Sequence, residues 1–169
     1  LDPVSVLPGQ AVDKALTISE NGVTMNTTAQ NLLSTSNQAE IFAVTPDQST
    51  YEALQLMAAK DIGAVAVMEE GRLLGILTER EYARRIVLHG KTSRHTPVFD
   101  TMNRDFPRVG PDTPIEECMR LMTEQRFRYV AVMDQTRLLG LISIGDIVKH
   151  IMAMQRASIE HLERYISGL

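Results

Sequence analysis

The 169-residue chain contains a single cysteine, Cys118. One thiol excludes an internal disulfide and any zinc site built from cysteines. No uninterrupted apolar run approaches the roughly 18 residues that a bilayer-spanning helix needs, so no membrane partner is expected. Positive charge is not in excess either: the formal net charge is −4. General electrostatics therefore draw the chain neither to nucleic acid nor to anionic lipid, and an anionic ligand needs a local basic site. Residues 1–24 have no charged segment followed by an apolar core, so no signal peptide is expected and a cytoplasmic location is. The signatures GxSxG, HExxH, CxxC and the P-loop are all missing, and Gly71 with Gly75 do not make a GxGxxG fingerprint. His89, His95, His150 and His161 lie apart without ligand spacing. A non-catalytic protein without a metal site is the expectation.

What is present is ordinary in bulk and unusual in arrangement. Hydrophobic residues at 44% and charged residues at 22% suit a folded globular chain. Within it, Arg72-Leu73-Leu74-Gly75 recurs as Arg137-Leu138-Leu139-Gly140, an offset of 65. In the same register Pro46-Asp47 matches Pro111-Asp112, Leu56-Met57 matches Leu121-Met122, and Val65-Ala66-Val67-Met68 matches Val130-Ala131-Val132-Met133. Four blocks in one register identify a tandem duplication.

Both copies read alike. Ala53, Leu54, Met57 and Ala58 form the stripe of a half-buried helix, and Ile115, Cys118, Met119 and Met122 form its counterpart. Cys118 aligns with Ala53 and is expected in the core. The valine-rich runs Ala64–Met68 and Tyr129–Met133 are too short for independent helices and predict buried strands. Turns at 69–72 and 134–137 lead into second strands, Leu73–Leu77 and Leu138–Ile142, and closing helices begin at Glu79 and Ile144. With short leading strands at Ile41–Val44 and Phe106–Val109, each copy is a β-α-β-β-α unit. Such a unit alone exposes a large apolar sheet face, so two are expected to pack face to face around one core. The chain divides into an arm over 1–25, a first repeat over 26–92, a second over 93–155 and a helical tail over 156–169. Residues 1–38 show no sustained period, apart from a short helix predicted over Thr27–Leu33. In the tail, Met154, Ile159, Leu162 and Ile166 offer a stripe for packing on a partner or on the domain itself.

The strand-to-helix corners carry the chemical signal. One reads Gly75-Ile76-Leu77-Thr78-Glu79-Arg80-Glu81, the other Gly140-Leu141-Ile142-Ser143-Ile144-Gly145-Asp146. Each sets a hydroxyl at a helix start and a carboxylate three residues later. That spacing is a capping box, which satisfies orphan amides at a helix N-terminus. It also suits a polyol such as ribose, because a carboxylate accepts from two vicinal hydroxyls while the helix end favours an anion. The spacing leaves both readings open.

These corners, the Val-Ala-Val strands and the segment from Thr96-Pro97-Val98 to Met102 resemble cystathionine-β-synthase (CBS) domains over residues of about 26–155. The strings Gly-Ile-x-Thr-Glu-Arg and Ser-Ile-Gly-Asp are most similar to those of small stand-alone two-CBS proteins. The resemblance implies an α/β fold in which two repeats form a pseudo-two-fold Bateman module. It further implies a regulatory role, an adenosyl ligand (AMP, ADP, ATP, NAD or S-adenosylmethionine) in the cleft between repeats, and a homodimer. Ser143 and Asp146 match the family's ribose-binding pair. Thr78 matches too, whereas Glu81 stands where the family has Asp, so the second site is the better match. The same resemblance sets Asp146 near Ile62, Gly63 and Ala64, and Glu81 near Phe127, Arg128 and Tyr129. Arg128 is the expected phosphate contact, with Arg80, Lys91 and Arg94 as further basic candidates, and Tyr129 can stack on a base.

Overall fold

The computed structural model describes residues 16–19, 22–25, 27–35 and 40–168. A hairpin of β1 (Leu16–Ser19) and β2 (Gly22–Met25) precedes α1 (Ala29–Thr35). The first repeat is β3 (Ala43–Val44), α2 (Thr50–Lys60), β4 (Ala64–Glu69), β5 (Arg72–Thr78) and α3 (Glu79–Arg85). After α4 (Val98–Thr101) the second repeat follows in the same order: β6 (Arg108–Val109), α5 (Ile115–Gln125), β7 (Tyr129–Asp134), β8 (Arg137–Ser143) and α6 (Ile144–Ser167). The sheet of each repeat has three strands, with the short leading strand parallel to the middle one and the last antiparallel. The β-α-β-β-α reading of each copy is what the structure contains.

The alternation inside the middle strands explains how the sheets stack. Successive side chains in a strand point to opposite faces. Val65 and Val67 therefore face α2 with Met57 and Leu77, whereas Ala64 and Ala66 face the other repeat. In β7, Val130 and Val132 lie in the helix-side cluster, while Ala131 meets Ala64 and Ala66 between the sheets. Small alanines on the inner face let the sheets approach, and Phe106 and Leu138 fill the remainder. Burying each valine stabilises by about 1.5–3 kcal/mol. The expected single shared core is thus three clusters, one under the helices of each repeat and one between the sheets. A half-buried helix covers only one face of a three-stranded sheet, so both faces need a partner.

Division along the chain and division in space also differ. Helix α1 leads into the first repeat, yet Ala29, Leu32 and Leu33 lie in the second repeat's core. Helix α4 leads into the second repeat, yet Val98 and Met102 lie in the first repeat's core. Matched backbone bonds hold the exchange: Ala29 N–H donates to Thr113 O at 2.8 Å, and Thr50 N–H to Thr96 O at 2.8 Å. The exchange accounts for the glycine that ends each Arg-Leu-Leu-Gly string. A Cβ on Gly75 would lie 2.8 Å from Asn103 O, and one on Gly140 would lie 2.8 Å from Leu33 Cδ2. Both glycines make room for a segment that crosses from the other half.

One element departs from the expectations, and another joins two helical stretches that the sequence predicts. The hairpin β1–β2 lies in the region read as an aperiodic arm, although Leu16-Thr17-Ile18-Ser19 alternates as a strand does. Helix α6 runs unbroken for 24 residues. Its first turns pack on α1, with Thr27 Oγ1 3.2 Å from His150 Nε2, and its far half leaves Ile159, Leu162 and Ile166 exposed. Among the described residues no helix is long and apolar enough to cross a membrane. Cys118 is fully buried, and burial pushes its thiol up to about 11.

Candidate functional site

Each corner is pinned before any side chain acts. Glu79 N–H donates to Gly63 O at 3.2 Å, and Ile144 N–H donates to Arg128 O at 2.9 Å. The start of each closing helix is thereby tied to the entrance of its own middle strand. Thr78 and Ser143 keep extended backbone as N-caps, at φ −120° and −93°.

The two corners then diverge. At the second, Asp146 N–H donates to Ser143 Oγ at 3.1 Å, and Ser143 N–H donates to Asp146 Oδ2 at 2.8 Å. Ser143 Oγ also donates to Asp146 Oδ2 at 2.5 Å, so the capping box is complete. At the first, Glu81 N–H donates to Thr78 Oγ1 at 3.3 Å and the threonine hydroxyl donates to Glu81 Oε2. The longer Glu81 does not turn back to the Thr78 amide; its Oε1 accepts from Asn103 Nδ2 at 3.5 Å instead. Capping is therefore present at both corners, fully at Ser143–Asp146 and on one side at Thr78–Glu81. Ligand binding by these atoms would exchange hydrogen bonds rather than create them from nothing.

Two clefts open beside the corners, each walled by both repeats. The first, about 580 Å³, brings Thr78 and Glu81 together with Phe127, Arg128 and Tyr129. The second, about 290 Å³, brings Ser143 and Asp146 together with Ile62, Gly63 and Ala64. Both volumes lie in or beside the range of about 300–1,000 Å³ usual for small-molecule sites. Gly63 and Tyr129 line both clefts. A Cβ on Gly63 would lie 2.5 Å from Tyr129 Oη, so this glycine gives the phenol its place between them. Burial raises the Tyr129 pKa, the Glu79 and Asp146 charges add to the rise, and Arg128 opposes it. The phenol stays protonated at neutral pH and can donate to a ligand.

Of the basic candidates, Arg128 and Arg80 line the first cleft. Arg80 Nη1 reaches across to donate to Arg126 O at 2.8 Å, joining α3 of one repeat to the end of α5 of the other. Arg94 is placed elsewhere: its guanidinium stacks on Tyr51, 3.8 Å from the ring centroid, and it lines neither cleft. Lys91 is likewise outside both. Sequence reasoning missed Arg84, Arg126 and Asn103 in the first cleft, and Asp61 and Lys149 in the second. The 65-residue register holds the missing signal, since it pairs Asp61 with Arg126 and Arg84 with Lys149. Among the described residues no group of three or more His, Cys, Asp or Glu is placed to hold a metal ion.

The CBS domain model matches residues 36–88 and 98–153. The chain belongs to the CBS-domain family. The mitochondrial CBS domain-containing protein CBSX3 of Arabidopsis thaliana is 35% identical to this CBS pair over 129 residues, 73% of this chain and 63% of that protein. CBS domain-containing protein YhcV of Bacillus subtilis is 31% identical over 118 residues, 70% of this chain and 84% of that one. A solved CBS-domain structure from Burkholderia ambifaria MC40-6 superposes with a TM-score of 0.72 at 42% identity, covering 75% of this chain and 95% of that one. This CBS pair spans less than two thirds of the length of the plant relative.

Proposed function

We propose that the CBS pair is a non-catalytic regulatory module that binds an adenosyl ligand, AMP, ADP, ATP or NAD, between its repeats. The observation that carries this reading is the crossed construction of the clefts. The hydroxyl–carboxylate corner of each repeat faces the strand entrance of the other, so one ligand touches both halves. Ribose hydroxyls would donate to Asp146 or Glu81, and backbone at 62–64 or 127–129 would flank the base. A ligand that bridges the repeats stabilises one relative orientation over others, and that difference in affinity is what transmits a signal. The expected setting is a cytoplasmic homodimer, in which the exposed Val148, Met152, Ile159 and Leu162 of α6 supply apolar contact surface. Calorimetric titration with AMP, ADP, ATP, NAD and S-adenosylmethionine is the test. Saturable binding weakened by Asp146→Ala or by Glu81→Ala supports the proposal, and absence of heat with all five ligands refutes it.

A second reading, a dimerising and docking module whose ligand sites have decayed, draws on the complete Ser143–Asp146 capping box. Sedimentation with and without nucleotide separates the two, since a purely structural dimer does not respond.

A further inference from the structure

The clefts are equivalent in chain position and opposite in charge. Four arginines line the first, Arg80, Arg84, Arg126 and Arg128, against the carboxylates of Glu79 and Glu81. None of the four forms an ion pair with either glutamate. In the second cleft the order is reversed: Glu40, Asp61 and Asp146 stand against Lys149 alone. The difference arises where the copies diverge, because Arg126 and Arg128 of the second copy replace Asp61 and Gly63 of the first at the 65-residue offset. Each cleft takes its strand entrance from the other repeat, so both substitutions deliver their charge to the same cleft.

From this we infer that the two clefts take different classes of ligand: the first binds a nucleoside polyphosphate, and the second rejects one. The inference rests on the adenosyl reading above and adds to it which cleft holds phosphate. Arginine suits the role because its planar fork donates two parallel hydrogen bonds to phosphate oxygens. Guanidiniums that line one cleft without an ion-paired carboxylate repel one another, and a polyanion relieves that repulsion. The first cleft also has the larger volume, about 580 Å³ against about 290 Å³, as a ligand with a phosphate chain requires. Arg80 is already held by the Arg126 carbonyl across the cleft mouth, so part of the positive wall is fixed before a ligand arrives. In the second cleft a phosphate chain would meet three carboxylates, which disfavour it by like-charge repulsion.

The test is calorimetry on the whole chain with adenosine, AMP, ADP, ATP and inorganic tripolyphosphate, at low and at raised salt. Affinity should climb from adenosine to ATP, and the ATP value should fall more steeply with salt than the adenosine value. The double variant Arg126→Ala/Arg128→Ala should weaken ATP by about tenfold per guanidinium and adenosine by far less. Arg72→Ala, which removes one positive charge from the far end of β5, should alter neither. Adenosine binding as tightly as ATP, or ATP binding undiminished in the double variant, overturns the inference while the adenosyl reading stands. If no adenosyl compound binds, the adenosyl reading falls. Tripolyphosphate then decides the charge assignment: binding lost in the double variant retains an anion site in the first cleft, and no binding removes it.

Discussion

The first and second clefts occupy equivalent places in a duplicated chain, yet they share little beyond backbone. Both sit where a strand becomes a helix, both are pinned by an amide bonded to the entrance of the middle strand, and both use Gly63 and Tyr129 as a common wall. Side chains then separate them. The second corner closes a complete capping box with the short Asp146, whereas Glu81 reaches past its own cap to Asn103. Arginines surround the first, and carboxylates surround the second. Duplication thus preserved the frame of the clefts and released the charged residues that line them.

Substitutions at the residues that differ test this contrast. The largest effect is expected from Arg126→Asp/Arg128→Gly, which gives the first cleft the residues that occupy these positions in the second. Asp61 already adopts the left-handed backbone found at Arg126, φ 52° against 58°, so the exchange is compatible with the fold. ATP affinity measured by calorimetry should drop about a hundredfold; retention of affinity would show that charge does not distinguish the clefts.

Next comes Gly63→Ala, which displaces Tyr129 Oη from between the clefts. Adenosyl affinity should fall about tenfold, while denaturant unfolding shifts by less than about 1 kcal/mol, because the displaced group is a side-chain tip. A loss of stability with unchanged affinity would make the glycine a packing residue only.

The corners themselves should separate under a smaller change. Ser143→Ala removes a complete box at the head of a 24-residue helix and should cost about 1 kcal/mol in urea denaturation. Thr78→Ala removes a one-sided cap from a seven-residue helix and should cost less. Equal costs would erase the distinction drawn between them.

The smallest effect concerns pH. Burial lowers the His150 pKa below its ordinary value of 6.5. Protonation therefore favours the unfolded state: the contribution is present above about pH 6.5 and is lost as pH falls through that value toward the lowered folded pKa. Melting temperature should decline between pH 7.5 and 5.5, and His150→Gln should flatten that decline. An unchanged slope would show that this histidine is not the titrating group.

Much of the frame was legible in the sequence because it rests on local rules. The Val-Ala-Val runs specify strands with two buried faces, and Cys118 lies in the core where its alignment with Ala53 sets it. The crossed sites, Glu81 with Arg128 and Asp146 with Gly63, followed from the family resemblance rather than from spacing. What escaped was non-local. The exchange of α1 and α4 between repeats depends on which partner's glycine offers room, and no periodicity encodes it. Arg94 is a basic candidate by its charge and its loop between repeats, but Tyr51 offers its guanidinium an aromatic face. Arg84 and Arg126 escaped because each is an ordinary helix-end arginine until the fold gathers them.

Amide chemical-shift mapping during titration with ATP decides whether one adenosyl ligand is held by both repeats. Amides of Thr78 to Glu81 in the first repeat and of Phe127 to Tyr129 in the second should shift together along one saturation curve. Shifts confined to a single repeat, or to α6 beyond Ile159, would contradict it.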